Sequence, residues 1–146
     1  MAINAGMMSS ATDQWGTPSD LFKELDTEFN FTLDACASPW NYKVDNYYSE
    51  EDNGLEQPWT GVVWCNPPYG RAIRNWIQKG YESSVAGATV AMLIPARTDT
   101  TYWHDYVMRG DIRFLKGRIK FVQPDGTAKD PAPFPSAVVI FKPKEN

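Results

Sequence analysis

The sequence is poor in the residues on which most metal and nucleophilic sites are built. It has one histidine, His104, and two cysteines, Cys36 and Cys65, in 146 residues. The cysteines do not show zinc spacing, and one histidine cannot complete a Cys/His set. Both cysteines sit in apolar, strand-like surroundings and read as small buried hydrophobes of a reducing cytosol. His104 lies in YWHDYV, a helical pattern that suits a surface or half-buried residue better than a member of a catalytic triad. No glycine-rich dinucleotide fingerprint and no Gly-Lys-Ser/Thr phosphate loop occurs. No apolar run approaches the roughly 20 residues needed to span a bilayer. The start, MAINAGMMSSATDQ, lacks the basic and apolar regions of a secretory signal. We expect residues 1–13 to be a loose tail, residues 14–146 to form one domain, and the protein to be cytoplasmic with no metal and no membrane partner.

What is present is an ordinary globular composition, 42% hydrophobic and 22% charged, with an uneven distribution of charge. Residues 1–60 carry 11 acids and two bases, a balance of −9. Residues 61–146 carry seven acids and 12 bases, a balance of +5. Five of those bases, Arg109, Arg113, Lys116, Arg118 and Lys120, fall within 12 residues that hold one acid, Asp111. Such a cluster is either a solvated face or the electrostatic footprint of a phosphate-bearing partner.

Helical and strand patterns alternate along the chain. Thr17-Pro18-Ser19-Asp20 has the form of a helix start, with Thr17 as the cap, and Leu21, Phe22, Leu25 and Phe29 recur at helical spacing behind it. Residues 29–37 read as a strand, and a short strand fits around 44–48. GVVWC (61–65) and ATVAMLIPA (88–96) are continuous apolar strands, the pattern of a sheet covered on both faces. Residues 72–85 and 100–109 read as helices, with Tyr102, Trp103, Tyr106 and Val107 of the second turned inward. DIRFLKG and RIKFV alternate like half-exposed strands, 123–135 is a proline-rich loop, and 136–143 is a last buried strand. This order predicts an α/β sheet with helices on both faces. In such sheets ligands bind at the carboxyl ends of strands. That rule singles out Asp34-Ala35-Cys36, Asn66-Pro67-Pro68-Tyr69 and Pro95-Ala96-Arg97.

The second of these is the most informative. Two prolines cannot donate backbone hydrogen bonds and stiffen the corner that holds them. Asn66 offers a side-chain carbonyl and Pro67 a backbone carbonyl, while Tyr69 offers a flat ring. Two fixed acceptors match the two N–H donors of an exocyclic amino group. Stacking an aromatic ring on a nucleobase is worth roughly 1–3 kcal/mol. The corner therefore suits a planar, amino-bearing group such as adenine.

NPPY is the catalytic motif of amino-methyltransferases that use S-adenosylmethionine. WGTPSDLF, FTLDACAS, NGLEQPW, VVWCNPPYG, LIPARTDTTYWH and FPSAVVIF, in this order, resemble the small phage-type DNA N6-adenine methyltransferases over about residues 14–143. The resemblance implies a compressed Rossmann-like methyltransferase sheet, transfer of a methyl group from S-adenosylmethionine to adenine N6 of a flipped-out base in DNA, and S-adenosylhomocysteine as product. It implies that Asn66, Pro67, Pro68 and Tyr69 are catalytic. It places Trp15, Thr17 and Pro18 against the cofactor, gives Asp34 the methionine moiety, and has Ala35 and Cys36 line the pocket. Against the family's Asp-Gly-Leu, Asp52 stands one place earlier or Asn53 replaces the acid, and Asp45, Glu50 and Asp52 are candidates for the ribose-binding acid. Arg97, Arg113, Lys116, Arg118 and Lys120 are candidate DNA contacts, together with the 123–135 loop. Trp59 and Trp64 are expected in the core. Other amino acceptors remain open: protein glutamine, RNA adenine and DNA cytosine N4. So does a non-catalytic module that binds S-adenosylmethionine or nucleic acid.

Overall fold

The computed structural model describes residues 16–144. Helix α1 (Ser19–Phe29) leads into strand β1 (Leu33–Asp34), and a long turn-rich segment containing a 3₁₀ turn (Gly54–Glu56) leads to β2 (Val62–Cys65). Then follow α2 (Ile73–Val85), β3 (Thr89–Pro95), α3 (Thr101–Asp105), β4 (Asp111–Phe114) and β5 (Ser136–Phe141). The strands form one sheet in the order β1-β2-β3-β5-β4. β1, β2 and β3 are mutually parallel, whereas β5 runs antiparallel to both β3 and β4. β4 thus points the same way as β1, β2 and β3, and all four finish at one end of the sheet.

Alternation along the strands sends neighbouring residues to opposite faces. Val63, Cys65, Val90, Met92, Ile94, Val139 and Phe141 meet Ile73, Trp76 and Ile77 of α2 and Tyr102 and Trp103 of α3. Trp64, Ala91, Leu93, Val138 and Ile140 meet Phe22 and Leu25 of α1 and, beside them, Phe121, Ala132 and Phe134 from the long loop after β4. The expected α/β sheet with helices on both faces is therefore present, and Trp59 and Trp64 are core residues. No helix among the described residues is long and apolar enough to cross a membrane.

Several elements are shorter than the sequence suggests. The strand expected over 29–37 contracts to two residues, because Asn30 closes α1 in the left-handed conformation (φ 55°) and its N–H bonds back to Asp26. The strand expected around 44–48 is one parallel bridge, Tyr47 to Asp34, along the outer side of β1. The helix expected over 100–109 breaks at Tyr106 and resumes as a 3₁₀ turn over Val107–Arg109. RIKFV does not join the sheet: after β4 the chain turns through Gly117 (φ 76°) and leaves, and Val122 instead bridges Gly16 and Ala128. Thr17 does not cap α1, which has no side-chain cap; its hydroxyl has another partner.

Candidate active site

The site is made by two neighbouring strand ends. Asp34 and Trp64 are paired across β1 and β2, and the Ala35 N–H donates to the Trp64 carbonyl at 2.9 Å. This parallel register puts the buried acid that ends β1 beside the Asn-Pro-Pro-Tyr corner that follows β2. Between them lies a cavity of about 170 Å³. Thr17, Asp34, Cys36, Asn66 and Pro68 all line it, and so do Lys43, Tyr48, Glu50, Gly54, Trp64 and Trp76.

Asp34 is 2% exposed, and burial pushes its carboxyl up to about 7. One carboxylate oxygen accepts from the Cys36 N–H at 3.3 Å and the other from the Lys43 N–H at 2.9 Å. These bonds fold residues 36–43 around the acid and oppose the upward shift without cancelling it. Lys43 also lines the cavity, where burial pulls its ammonium below the usual lysine range. The Cys36 thiol is pushed up to about 12 by burial, which keeps it protonated and unreactive. The far wall comes from the 3₁₀ turn. Asn53 enters it in the left-handed region (φ 55°). A Cβ on Gly54 would run into the Ala35 carbonyl oxygen and the Trp76 ring. Only glycine lets this turn close so tightly against β1.

The corner is held from both sides. Asn66 Nδ2 donates to Thr17 Oγ1 at 3.1 Å, across 49 residues of sequence. The Tyr69 hydroxyl donates to the Leu93 carbonyl at 3.0 Å, and burial pushes it well above the usual tyrosine range. Tyr69 is therefore a neutral anchor rather than a base. Its ring meets Phe121 and Phe134 edge to face, at centroid distances of 5.9 and 5.7 Å. The loop after β4 thus supplies two walls for the corner, which hydrophobic spacing within β2 and α2 cannot reveal.

The other expected site residues divide. Ala35 is fully buried in the core and does not reach the cavity, because alternation turns it away from Asp34. Asp52 lies outside it too, with its carboxylate accepting from the Ser49 N–H (2.8 Å) and hydroxyl (3.1 Å). Of the three candidate ribose acids, Glu50 alone lines the cavity. Pro18 gives its carbonyl to the Phe22 N–H at the start of α1. Trp15 lies outside the described residues. Lys43, Tyr48 and Trp76 carry no sequence signal as cavity residues, whereas Gly54 belongs to the Gly-Leu of NGLEQPW, the one signal for the 3₁₀ turn.

The basic cluster divides as well. Arg113 makes a two-pronged contact with Glu28 at 2.7 and 2.6 Å and lies over the Phe29 ring, so it fastens β4 to α1. Arg109 covers Tyr81 and donates to the Asp105 carbonyl. Lys116, Arg118 and Lys120 leave β4 at the same end of the sheet as the corner, and all three are exposed. Arg118 reaches the Ala132 carbonyl at 3.4 Å. Arg97, after β3, lies over Phe134, 5.5 Å from its centroid and next to the walls of the corner.

The chain is similar to proteins of one family. The model of the DNA N-6-adenine-methyltransferase (Dam) family matches residues 5–146. A DNA N-6-adenine-methyltransferase of Haemophilus phage HP1 is 31% identical over 151 residues, covering 99% of this chain and 87% of that protein. A DNA N-6-adenine-methyltransferase of Escherichia phage T1 is 33% identical over 94 residues, covering 62% of this chain and 39% of that protein.

Proposed function

This chain belongs to the DNA N-6-adenine-methyltransferase (Dam) family, and from that membership we propose how its residues methylate the N6 amino group of adenine in DNA. The observation that carries the reading is the shared cavity: Asp34 and Asn66, from adjacent strand ends, line one space. The donor set fits S-adenosylmethionine. Its amino-acid end carries an ammonium for Asp34 and a carboxylate for Lys43. Its ribose hydroxyls suit Glu50, and its adenine suits the aromatic surfaces of Tyr48 and Trp76. Burial already holds Asp34 at a cost, and a ligand cation would relieve it.

Held there, S-adenosylmethionine would supply an electrophilic methyl on a sulfonium and leave as S-adenosylhomocysteine. The chain's own groups orient the acceptor. The target adenine leaves the stack, as enzymes acting on bases require. Asn66 Oδ1 and the Pro67 carbonyl accept its two amino hydrogens. This aims the nitrogen lone pair into the cavity, and positive charge developing on nitrogen meets dipoles already oriented. The base lies on Tyr69, whose hydroxyl stays with Leu93. The amino proton is lost to water. Lys116, Arg118 and Lys120, with Arg97 and the 123–135 loop, contact the DNA backbone.

The test uses purified protein with S-adenosylmethionine carrying a labelled methyl and three acceptors: unmethylated DNA, RNA and a glutamine-containing protein. Label should enter DNA alone, as N6-methyladenine. Label in RNA, in protein or on cytosine would overturn the assignment, and no label in any acceptor would support a non-catalytic module.

A further inference from the structure

We propose that Thr17 is a positioning residue: its hydroxyl holds the Asn66 side chain in place at the corner, with Nδ2 turned toward Thr17. The inference rests on the methyltransferase reading and names a residue that sets its geometry. An asparagine side chain can turn its amide end for end at little torsional cost, because its last torsion is broad and roughly two-fold. Turned the wrong way, Asn66 would present two N–H donors to the two N–H donors of adenine N6. The side chain must therefore be held in place while the base binds.

Thr17 is one of the groups that hold the amide. It is 2% exposed, and a buried hydroxyl needs a partner. That partner is Asn66, whose Nδ2 donates to Thr17 Oγ1 at 3.1 Å. With Nδ2 committed, Oδ1 is the opposite end of the amide. Thr17 is itself fixed on both sides. Gly16 and Val122 exchange two backbone hydrogen bonds of 2.9 Å, and Pro18 accepts from Phe22 at 3.2 Å to begin α1. Its β-branched side chain adds little rotamer freedom. Because α1 starts at Ser19 with Pro18 at its cap position, the Thr17 hydroxyl lies one residue before the cap and serves the corner instead.

Thr17→Val keeps the shape and removes the acceptor, Thr17→Ala removes both bulk and acceptor, and Thr17→Ser keeps the hydroxyl. We expect kcat on DNA to fall about tenfold or more in the Val and Ala variants, and to recover to within about threefold of the parent in the Ser variant. Thr17 also lines the cavity, so the fall in kcat should exceed any loss of affinity for S-adenosylmethionine, with the melting temperature near the parent value in at least one of the two. A parent-like kcat in Thr17→Val, or a Ser variant no better than the Val variant, would overturn the inference. So would kcat and cofactor affinity falling together by the same factor in both Val and Ala. A parent chain that binds S-adenosylmethionine yet methylates no adenine would instead remove the proposed function itself, and the inference with it.

Discussion

The Asn-Pro-Pro-Tyr corner and the basic segment around β4 emerge at the same end of the sheet, yet they are built in opposite ways. At the corner, partners far away in sequence hold the polar groups: Thr17 for Asn66 and Leu93 for Tyr69. In the basic segment the cations are exposed, and Arg109 and Arg113 are taken up by contacts within the chain. A fixed group can select one geometry for chemistry. An exposed cation can attract a polyanion without selecting a geometry. Under the proposed function, the contrast predicts that the corner governs rate and the remaining cations govern salt-dependent affinity.

The largest effect should come from the corner. Asn66→Ala is expected to lower methyl transfer about a hundredfold or more, while binding of S-adenosylmethionine changes little. Rapid single-turnover assays beside direct binding measurements would separate the two. A variant that turned over normally would break the distinction between corner and surface. Next comes the wall of the cavity. Gly54→Val forces side-chain atoms against the Ala35 carbonyl and Trp76, and should cost about 1–3 kcal/mol of stability along with cofactor affinity. Thermal melts with and without S-adenosylmethionine would reveal both losses.

Asp34 provides a pH signature. Its carboxyl is raised to about 7 in the folded chain, against an ordinary value of 3.8. Between those values the folded state holds the proton more tightly than the unfolded state. This group therefore lowers stability progressively as pH rises from about 4 to 7, and the loss is complete above 7. A bound ammonium favours the ionised form, so cofactor affinity should rise with pH through about 7, with proton release on binding. Calorimetry in buffers of different ionisation enthalpy measures that release. A pH-independent affinity would remove Asp34 from contact with the ammonium.

The smallest effects lie on the basic side. Replacing Arg118 and Lys120 with glutamine should reduce the slope of log affinity for DNA against log salt by about one to two, and replacing Arg113 should leave that slope unchanged. Equal slopes for all three variants would erase the division of labour within the segment.

The sequence reveals the corner and not its supports, for a physical reason. Asn66 to Tyr69 are contiguous, and the prolines announce the rigidity, so four letters suffice. The sheet is equally legible where β2 and β3 are covered on both faces and stay apolar throughout. The shortness of β1 is hidden because Asn30 takes the left-handed conformation and delays the strand, a backbone choice that alternation does not encode. Thr17 reads in the sequence as a helix cap, and its partner lies 49 residues away. Phe121 and Phe134 look like ordinary loop and strand-edge aromatics until the chain folds back onto Tyr69. The charge cluster misleads for a similar reason: composition counts Arg113 as a cation of the surface, and Glu28 of α1 neutralises it.

The most direct measurement is made in a bacterium with no adenine methylation of its own, expressing either this chain or its Asn66→Ala variant. Single-molecule sequencing of the DNA should find N6-methyladenine in one recurring short sequence with the parent chain and none with the variant. Unmodified adenine under the parent chain, modification of another base, or equal modification by the variant would contradict the reading of the corner as the seat of adenine N6.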